Sequence, residues 1–369
     1  MTSDSIPQPV LPDYGGACNA GIIPAVLGDP EEAPSWMPRG AIDADTTIVL
    51  VLDGLGWEQM QQRLPLLPTL AQFEAMPITT VAPSTTATAL TSITTGLTPG
   101  EHGVIGYRIA IDRDVLNVLR WTTHRGDARG AIPPRTINPH DPFMSQRPPI
   151  VVRAEFEHSG FTAAHLHNAR HMGYRMPSTM AIEVAHLAKR GEPFIYVYYD
   201  GIDKVAHEYG LGEHYDAELV AVDGILRYLI SVMPKRAALV ITADHGHIDC
   251  PDKVRPAPEV LSHVDFQSGE ARFRWLHAMP GAAEDLYEAA LAHHSDVAWV
   301  RSRQQCIEEG WFGPTVTAAA ASRLGDVAIV PFEPVAFEEP TDTGPYDLKG
   351  RHGSLTAPEM YVPLLVHRT

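Results

Sequence analysis

The sequence is poor in cysteine and in basic residues. Its 369 residues include three cysteines, Cys18, Cys250 and Cys306, which are odd in number, far apart and in no C-x-x-C pair. We therefore expect reduced thiols, and neither a disulfide framework nor a cysteine zinc site. Lysine and arginine number 28 against 45 aspartates and glutamates, a formal net charge of −17. This balance speaks against a large basic surface for polymeric nucleic acid or an anionic membrane.

Long apolar runs are also missing. No stretch of 18 or more apolar residues occurs, so no membrane-spanning helix is expected. The N-terminal "MTSDSIPQPVLPDYGG" has neither the basic start nor the apolar core of a signal peptide, which predicts a cytoplasmic protein. With 44% hydrophobic residues, the chain can nevertheless bury a full core.

Four segments have the continuously apolar, β-branched composition of strands that are buried on both faces: "TTIVLVLD", "PFIYVYYD", "AALVITAD" and "YVPLLV". Helical patterns such as "PSTMAIEVAHLAKRG" and "HYDAELVAVDGILRYLISVM" lie between them. This alternation predicts an α/β fold, a three-layer αβα sandwich with a mostly parallel central sheet. Ligands of such a fold gather at the carboxyl ends of the strands.

The pattern changes after "ITADHG". Short strands ("ARFRWLH", "DVAWVRS", "GDVAIVP") and one helix ("AEDLYEAALAHH") predict a small α/β cap insertion over residues 251–346. The catalytic core would then comprise residues 1–250 and 347–369. The proline-rich stretch from Pro133 to Pro149 is expected to be irregular and to cover a surface or a pocket mouth.

Candidate metal ligands follow three of the predicted strands. Asp53, in "LVLDGLGW", also fits ordinary aspartate–glycine turn chemistry. Asp203 and His207, in "DKVAH", would lie on one face of a helix, although an exposed pair has the same spacing. Asp244 and His245, in "ITADHGH", can act together only if the backbone leaves the strand there, and the glycine that follows permits this.

One further histidine, His352, stands between glycines just before the last predicted strand, whereas His247 is expected to be a supporting or structural residue. The three carboxylates and three imidazoles suffice for two zinc-type sites with mixed nitrogen and oxygen ligands. Two metals beside a hydroxyl are suited to displacement at phosphorus. The stretch "VAPSTTATALTSITTGLTPGEHGVIGY", with seven threonines and two serines, offers such hydroxyls.

Five pieces occur in a familiar order: "LVLDGLG", "PSTTATALTSITTGLTPGEHGVIG", "DKVAHEYG", "TADHG" and "GRHGS". On them the chain resembles the alkaline phosphatase superfamily, and within it the type I phosphodiesterase/nucleotide pyrophosphatase branch with its phosphonoacetate hydrolase relatives. The resemblance implies that Thr86, three residues after Pro83, attacks phosphorus at the start of a helix. Ser84 and Thr85 remain alternatives for the nucleophile, and either would otherwise cap the helix. The resemblance also implies two sets of metal ligands: Asp53, Thr86, Asp244 and His245 for one ion, and Asp203, His207 and His352 for the other.

The chain departs from the family after the "HGVIG" turn. The phosphodiesterases carry an asparagine there, which donates to a phosphoryl oxygen, and this chain has Tyr107. Tyrosine can donate one hydrogen bond, so Tyr107 is a tentative substrate contact, or it packs. In the segment that follows, an arginine could pair with a phosphate and an aromatic ring could stack on a base, but solvated arginines and a core tryptophan fit the sequence as well. We therefore assign no binding role to Arg108, Arg120, Trp121 and His124.

The sequence therefore predicts a metal-dependent hydrolase of phosphoric esters, foremost a phosphodiesterase or nucleotide pyrophosphatase with a covalent phospho-threonine intermediate. A phosphomonoesterase, a phosphonate hydrolase and a phosphate-transferring mutase are alternatives on the same scaffold. A non-catalytic metal or nucleotide binding protein is a remote one. The ligand set favours two Zn²⁺ ions, with Mn²⁺ as the alternative. The expected partner is a small phosphate ester such as a nucleotide, and the oligomeric state stays open.

Overall fold

The computed structural model describes residues 6–340 and 347–369. Its strands, numbered along the chain, are β1 (Thr46–Leu52), β2 (Glu74–Thr79), β3 (Arg108–Ile111), β4 (Asp114–Asn117), β5 (Thr122–Thr123), β6 (Gly126–Asp127), β7 (Pro149–Arg153), β8 (Arg170–Tyr174), β9 (Phe194–Tyr199), β10 (Ala237–Thr242), β11 (Ile248–Asp249), β12 (Asp252–Val254), β13 (Val264–Glu270), β14 (Phe273–Ala278), β15 (Ala298–Ser302), β16 (Val327–Pro331), β17 (Val335–Phe337), β18 (Gly350–Arg351) and β19 (Tyr361–Arg368).

The helices of the same residues are α1 (Ile22–Leu27), α2 (Arg39–Ile42), α3 (Trp57–Arg63), α4 (Thr86–Thr95), α5 (Pro99–His102), α6 (Pro134–Ile137), α7 (Gly160–His165), α8 (Pro177–Lys189), α9 (Gly201–Tyr209), α10 (Glu213–Val232), α11 (Pro258–Leu261), α12 (Ala283–His294), α13 (Arg303–Glu308), α14 (Ala318–Ala321) and α15 (Ala357–Met360). Single turns of 3₁₀ helix occur at Asn19–Gly21, Leu64–Leu66, Leu70–Gln72, Phe143–Ser145 and Ala154–Phe156.

A seven-stranded sheet forms the centre, in the order β2-β19-β10-β1-β9-β7-β8. The five strands from β10 to β8 are parallel, whereas β19 and β2 run antiparallel to their neighbours. Every residue of β1, β9 and β10 is buried, so both faces of the sheet are covered there. The four predicted strands and the mostly parallel sheet are thus confirmed.

The predicted helices are confirmed at α8, α10 and α12, each within two residues of its expected ends. Helix α8 packs on β7, β8 and β9 and against α10, while α4 packs against α1 and α7. The proline-rich stretch is less irregular than expected. It contains α6, which begins with a proline at a position where no backbone donor is needed, and a 3₁₀ turn at Phe143–Ser145.

A second sheet, β13-β14-β16-β15, lies in the predicted insertion and has its own apolar core together with α12. The last residues of that segment, 341–346, lie outside the described residues, as do residues 1–5. The division into a core and a cap stays a prediction. A third sheet, β3-β4-β5-β6, follows the hydroxyl-rich helix α4 and was not predicted.

Two expectations from composition can be compared with the structure. Cys18, Cys250 and Cys306 are buried and unbridged, as predicted. Among the described residues, no helix has the length and apolar character that crossing a bilayer requires.

Candidate active site

The site lies where the parallel strands β10, β1 and β9 end side by side. In the register of the sheet, Leu52 is opposite Tyr199 and Val51 is opposite Thr242. The residues that follow, Asp53 and Asp244 among them, are therefore neighbours in space. Gly54 is required at this point, since its φ is +77° and a Cβ there would lie 2.7 Å from a histidine ring nitrogen.

The first cluster surrounds the side chain of His245. Its Nε2 lies 3.1 Å from Thr86 Oγ1, 3.4 Å from Asp53 Oδ1 and 3.5 Å from Asp244 Oδ2. The ligand atoms of a tetrahedral zinc ion, with bonds of about 2.0–2.1 Å, lie about 3.4 Å apart. Asp53 Oδ1 and Asp244 Oδ2 are buried and accept no hydrogen bond from the described residues. These distances from His245 are compatible with one divalent cation, and ligand atoms of Asp53, His245 and Asp203 also lie within 4.8 Å of one another. The predicted set of four ligands stays a prediction.

The second cluster surrounds Asp203, on the short helix α9 after β9. Its Oδ1 lies 3.2 Å from His207 Nε2, one helical turn on, and 3.8 Å from His352 Nε2. A hydrogen bond from Nδ1 to a backbone carbonyl oxygen orients each ring: His207 Nδ1 donates to Gly350 O at 2.8 Å, and His352 Nδ1 donates to Ser84 O at 2.9 Å. Such outer hydrogen bonds leave Nε2 as the ligand atom.

His247 comes closer to Asp203 than either of these histidines. Its Nε2 lies 2.9 Å from Asp203 Oδ1, and the ring is fully buried. Asp203, His207, His247 and His352 could together hold one ion, because their ligand atoms lie within 4.8 Å of one another. Unlike the other rings, His247 has no partner for Nδ1 among the described residues. The supporting role of His247, in which Nε2–H would donate to the carboxylate of Asp203, stays a prediction beside that of a ligand.

Burial sets the electrostatics of both clusters. It raises the pKa of Asp53 well above the usual value, and repulsion from Asp203 and Asp244 raises it further. Burial likewise raises the pKa of Asp244 and lowers the pKa of His352 well below its usual value. Burial also opposes ionisation of Asp203, but attraction to His207 outweighs it, and the pKa of Asp203 is lowered well below the usual value. A cation would relieve the repulsion between the carboxylates.

The hydroxyls near the start of α4 differ in their partners. Ser84 Oγ donates to Ser354 O at 2.7 Å, and Thr85 Oγ1 donates to Glu270 Oε2 at 3.1 Å. Thr85 is at the N-cap position of α4, as one of the two alternatives predicted, but its side chain makes no capping hydrogen bond. The loop around His352 and strand β13 take up the two hydroxyls instead. Thr86, the first helical residue, is the one whose hydroxyl faces the first cluster.

Most of the remaining hydroxyls of α4 have hydrogen-bond partners within the helix or next to it, whereas Thr88 Oγ1 is buried without a partner among the described residues. Thr91, Thr94 and Thr95 donate back to carbonyl oxygens three or four residues earlier, at 2.6–3.3 Å. Ser92 lies 2.8 Å from His102 Nε2, and Val104 N donates to the other ring nitrogen of His102. These contacts explain why so many hydroxyls are tolerated in a buried helix.

A cavity of about 1320 Å³ is lined by residues of both clusters, of the sheet β3–β6 and of strand β13. Thr86, Tyr107 and His352 all line it. Asn117 Nδ2, on the adjacent strand, donates to the hydroxyl oxygen of Tyr107 at 2.7 Å. Three of the unassigned residues also line the cavity (Arg108, Arg120 and His124), whereas Trp121 is a fully buried core residue.

Sequence reasoning missed two residues of this cavity, Asn117 and Glu270. Asn117 stands ten residues after Tyr107 and comes beside it only through the pairing of β3 with β4. Glu270 comes from the insertion, 185 residues after its partner Thr85. No local motif marks either residue.

A family model described as type I phosphodiesterase/nucleotide pyrophosphatase matches residues 47–189 and 173–355. The chain therefore belongs to the type I phosphodiesterase/nucleotide pyrophosphatase family, which confirms the predicted branch and places it among phosphoester hydrolases. No curated protein sequence shows significant similarity to it.

Solved structures share the fold. Murine ectonucleotide pyrophosphatase/phosphodiesterase 5 has a TM-score of 0.68 at 15% identity, over 88% of each chain. The human protein of the same name has a TM-score of 0.65 at 16% identity, over 88% of each chain. Phosphonoacetate hydrolase from Sinorhizobium meliloti, in complex with phosphonoacetate, has a TM-score of 0.67 at 16% identity, over 88% of this chain and 91% of that chain. At such identities the likeness shows the fold alone, which confirms the predicted alkaline phosphatase-like sandwich.

Proposed function

We propose that this chain is a phosphodiesterase or nucleotide pyrophosphatase that works through a two-metal centre and a covalent phospho-threonine at Thr86. The observation that carries the proposal is the position of Thr86 Oγ1. It lies 3.1 Å from His245 Nε2, in a cluster with two buried carboxylate oxygens that have no hydrogen-bond partner among the described residues.

The donor sets support two divalent cations, held by the residues of the first and second clusters. Such cations would lower the pKa of the Thr86 hydroxyl and stabilise the leaving oxygen. The histidine content of the set favours zinc over manganese.

The chain's own groups account for the steps of the reaction. Thr86 Oγ1 forms a bond to phosphorus and releases its proton to solvent, while the ester oxygen departs with the bonding electrons. Water then displaces Oγ1 from phosphorus and frees the product. The first turn of α4 assists because its backbone N–H groups and dipole favour a phosphoryl group beside Thr86.

Tyr107 is proposed to take the place of the family's asparagine. Asn117 Oδ1 accepts from Arg120 N at 3.0 Å, which identifies Nδ2 as the amide group that donates to the hydroxyl oxygen of Tyr107. Tyr107 therefore keeps its own hydroxyl proton for an acceptor in the cavity. A phosphoryl oxygen of the substrate is the acceptor that the site offers.

Two structural relatives indicate which substrates to try. An inactive threonine-to-alanine variant of the murine relative has been solved in complex with AMP, and the Sinorhizobium enzyme in complex with phosphonoacetate. Because the family model is that of the phosphodiesterases, nucleotide diesters come first and phosphonates second.

The test compares kcat/KM for bis-p-nitrophenyl phosphate with kcat/KM for p-nitrophenyl phosphate, on zinc-reconstituted protein. A ratio well above one is expected, and Thr86→Ala should abolish turnover while both metals stay bound. Thr85→Val and Ser84→Ala are the matched controls and should keep the covalent step. Turnover by Thr86→Ala would refute the nucleophile. A ratio well below one would instead indicate a monoesterase. If neither ester is turned over, the alternatives to test next are a phosphonate hydrolase, a phosphate-transferring mutase and a non-catalytic binding protein.

A further inference from the structure

Strand β13 places one carboxylate against Thr85, the residue before the proposed nucleophile. Glu270 ends β13 at the tip of the β13–β14 hairpin, and its Oε2 accepts the hydroxyl of Thr85 at 3.1 Å. The side chain lines the same cavity as Thr86 and His352. It also lies against Gly353, where a Cβ would come within 2.9 Å of the carboxylate carbon. Glu270 is therefore next to both loops that carry the predicted catalytic groups.

This hairpin tip is fixed to the core. Arg272, two residues after Glu270, is fully buried and donates to both carboxylate oxygens of the fully buried Glu359, at 2.9 and 2.8 Å. Its remaining N–H groups donate to carbonyl oxygens of Pro331, Glu333 and Val335. Glu359 in turn accepts Ser354 N at 3.0 Å. Breaking a buried pair of this kind is costly, so the position of Glu270 is set by the fold.

We propose that Glu270 is a specificity-determining residue, which selects singly charged phosphodiesters over doubly charged phosphomonoesters. The inference rests on the proposed function. A phosphoryl group attached to Thr86 would lie next to the carboxylate of Glu270, and a monoester carries one more negative charge than a diester. At a separation of about 6 Å and an effective dielectric constant of about 20, one extra charge lowers affinity by roughly a hundredfold.

The test is the isosteric change Glu270→Gln, which removes the charge and keeps an acceptor for the Thr85 hydroxyl. On the zinc-loaded protein, kcat/KM for p-nitrophenyl phosphate should rise by about 10- to 100-fold relative to that for bis-p-nitrophenyl phosphate. Glu270→Asp should keep the ratio of the wild type. Asp265→Asn is the matched control: it removes the same charge from the same strand, but at the cavity rim, where Asp265 pairs with Arg113 at 2.8 Å.

A binding measurement separates this inference from the proposed function. Titration calorimetry of inorganic phosphate at pH 8 should show at least tenfold tighter binding to Glu270→Gln than to the wild type. If neither ester is turned over but phosphate binds more tightly, the proposed function fails, while the repulsion between Glu270 and a bound phosphate group is upheld. If the diester is hydrolysed but neither the ratio nor the phosphate affinity changes, Glu270 is a structural residue and the inference is overturned. An equal shift in Asp265→Asn would also overturn it, because the effect would then be one of general charge.

Discussion

Replacing Asp53 by asparagine should stabilise the metal-free protein and destabilise the zinc-loaded protein. Asp53 is 2% exposed, and its Oδ1 has no hydrogen-bond partner among the described residues. Its other oxygen accepts the hydroxyl of Tyr198. Asp244 is fully buried at the same centre. Without a cation, the folded protein must therefore bury two neighbouring carboxyl groups, and only protonation of one of them can relieve the repulsion between their charges.

The size of the effect follows from the charges. Two unit charges about 4 Å apart repel by about 4 kcal/mol at an effective dielectric constant of 20. Since protonation already relieves part of this, we expect Asp53→Asn to gain about 2 kcal/mol. Unfolding entropy of roughly 2.1 cal/mol/K per residue converts this gain into an increase in Tm of about 2–3 °C for a chain of this length.

The sign of the pH dependence follows from the raised pKa of Asp53. A carboxyl whose folded pKa is raised contributes stability below its unfolded pKa of about 3.9, and that contribution is lost as the pH rises through the folded value. The metal-free wild type therefore loses stability as the pH rises above about 3.9. The advantage of Asp53→Asn should therefore shrink as the pH falls towards 4.

Calorimetric melting in EDTA and in excess zinc at pH 7.5 measures both halves of the prediction. In zinc the order should reverse, because the wild type gains more binding free energy than a variant lacking one ligand. Asp223→Asn is the control, since this buried carboxylate accepts the backbone N–H groups of Thr69 and Leu70 and should lose stability in both media. A lower Tm for Asp53→Asn in EDTA would refute the reasoning and make Asp53 a structural residue.

Three further changes test other parts of the structure. Burial lowers the pKa of His102 to about 3, so the folded state resists protonation of this ring and the protein loses stability as the pH falls below about 6.5. His102→Gln should reduce that loss of unfolding free energy between pH 7.5 and pH 5 by about 2 kcal/mol, as measured by urea unfolding. His247→Gln should weaken zinc binding by roughly 10- to 100-fold in chelator competition, because it alters the hydrogen bond to Asp203; an unchanged affinity would contradict the supporting role. Arg272→Met should cost about 3–5 kcal/mol in denaturant unfolding by leaving Glu359 buried without its partner, and the double change to Met and Leu should restore most of it.

The centre of the fold could be predicted because its signals are local. The runs that became β1, β9 and β10 are apolar throughout, so their burial on both faces is visible in the letters alone. Parallel strands end at one edge, which brings Asp53 and Asp244 together without any knowledge of the loops. The roles of these residues stay predictions. The structure does place a carboxylate oxygen of each close to His245 Nε2, at 3.4 Å for Asp53 and 3.5 Å for Asp244.

The outer wall of the cavity could not be predicted, for a physical reason. Strands β5 and β6 have two residues each, too short for an alternating pattern. They are held by the pairing of β5 with β4 and of β6 with β5 rather than by a periodic apolar face. The partners of Ser84 and Thr85 lie 270 and 185 residues away, and a helix-cap rule considers only adjacent residues. Long-range contacts outcompeted the local preference.

The same division applies to chemistry and selectivity. Groups predicted to act on phosphorus come from strand ends and from the first turn of α4, where the sheet fixes their spacing. The groups that line the outer part of the proposed substrate cavity come from β3–β6 and from the β13–β14 hairpin, which is joined to the core by the buried pair of Arg272 and Glu359. Because that pair restrains the hairpin tip, we expect the substrate preference of this chain to change through the hairpin's residues rather than through its position. Glu270 is the residue at which such a change should first be seen.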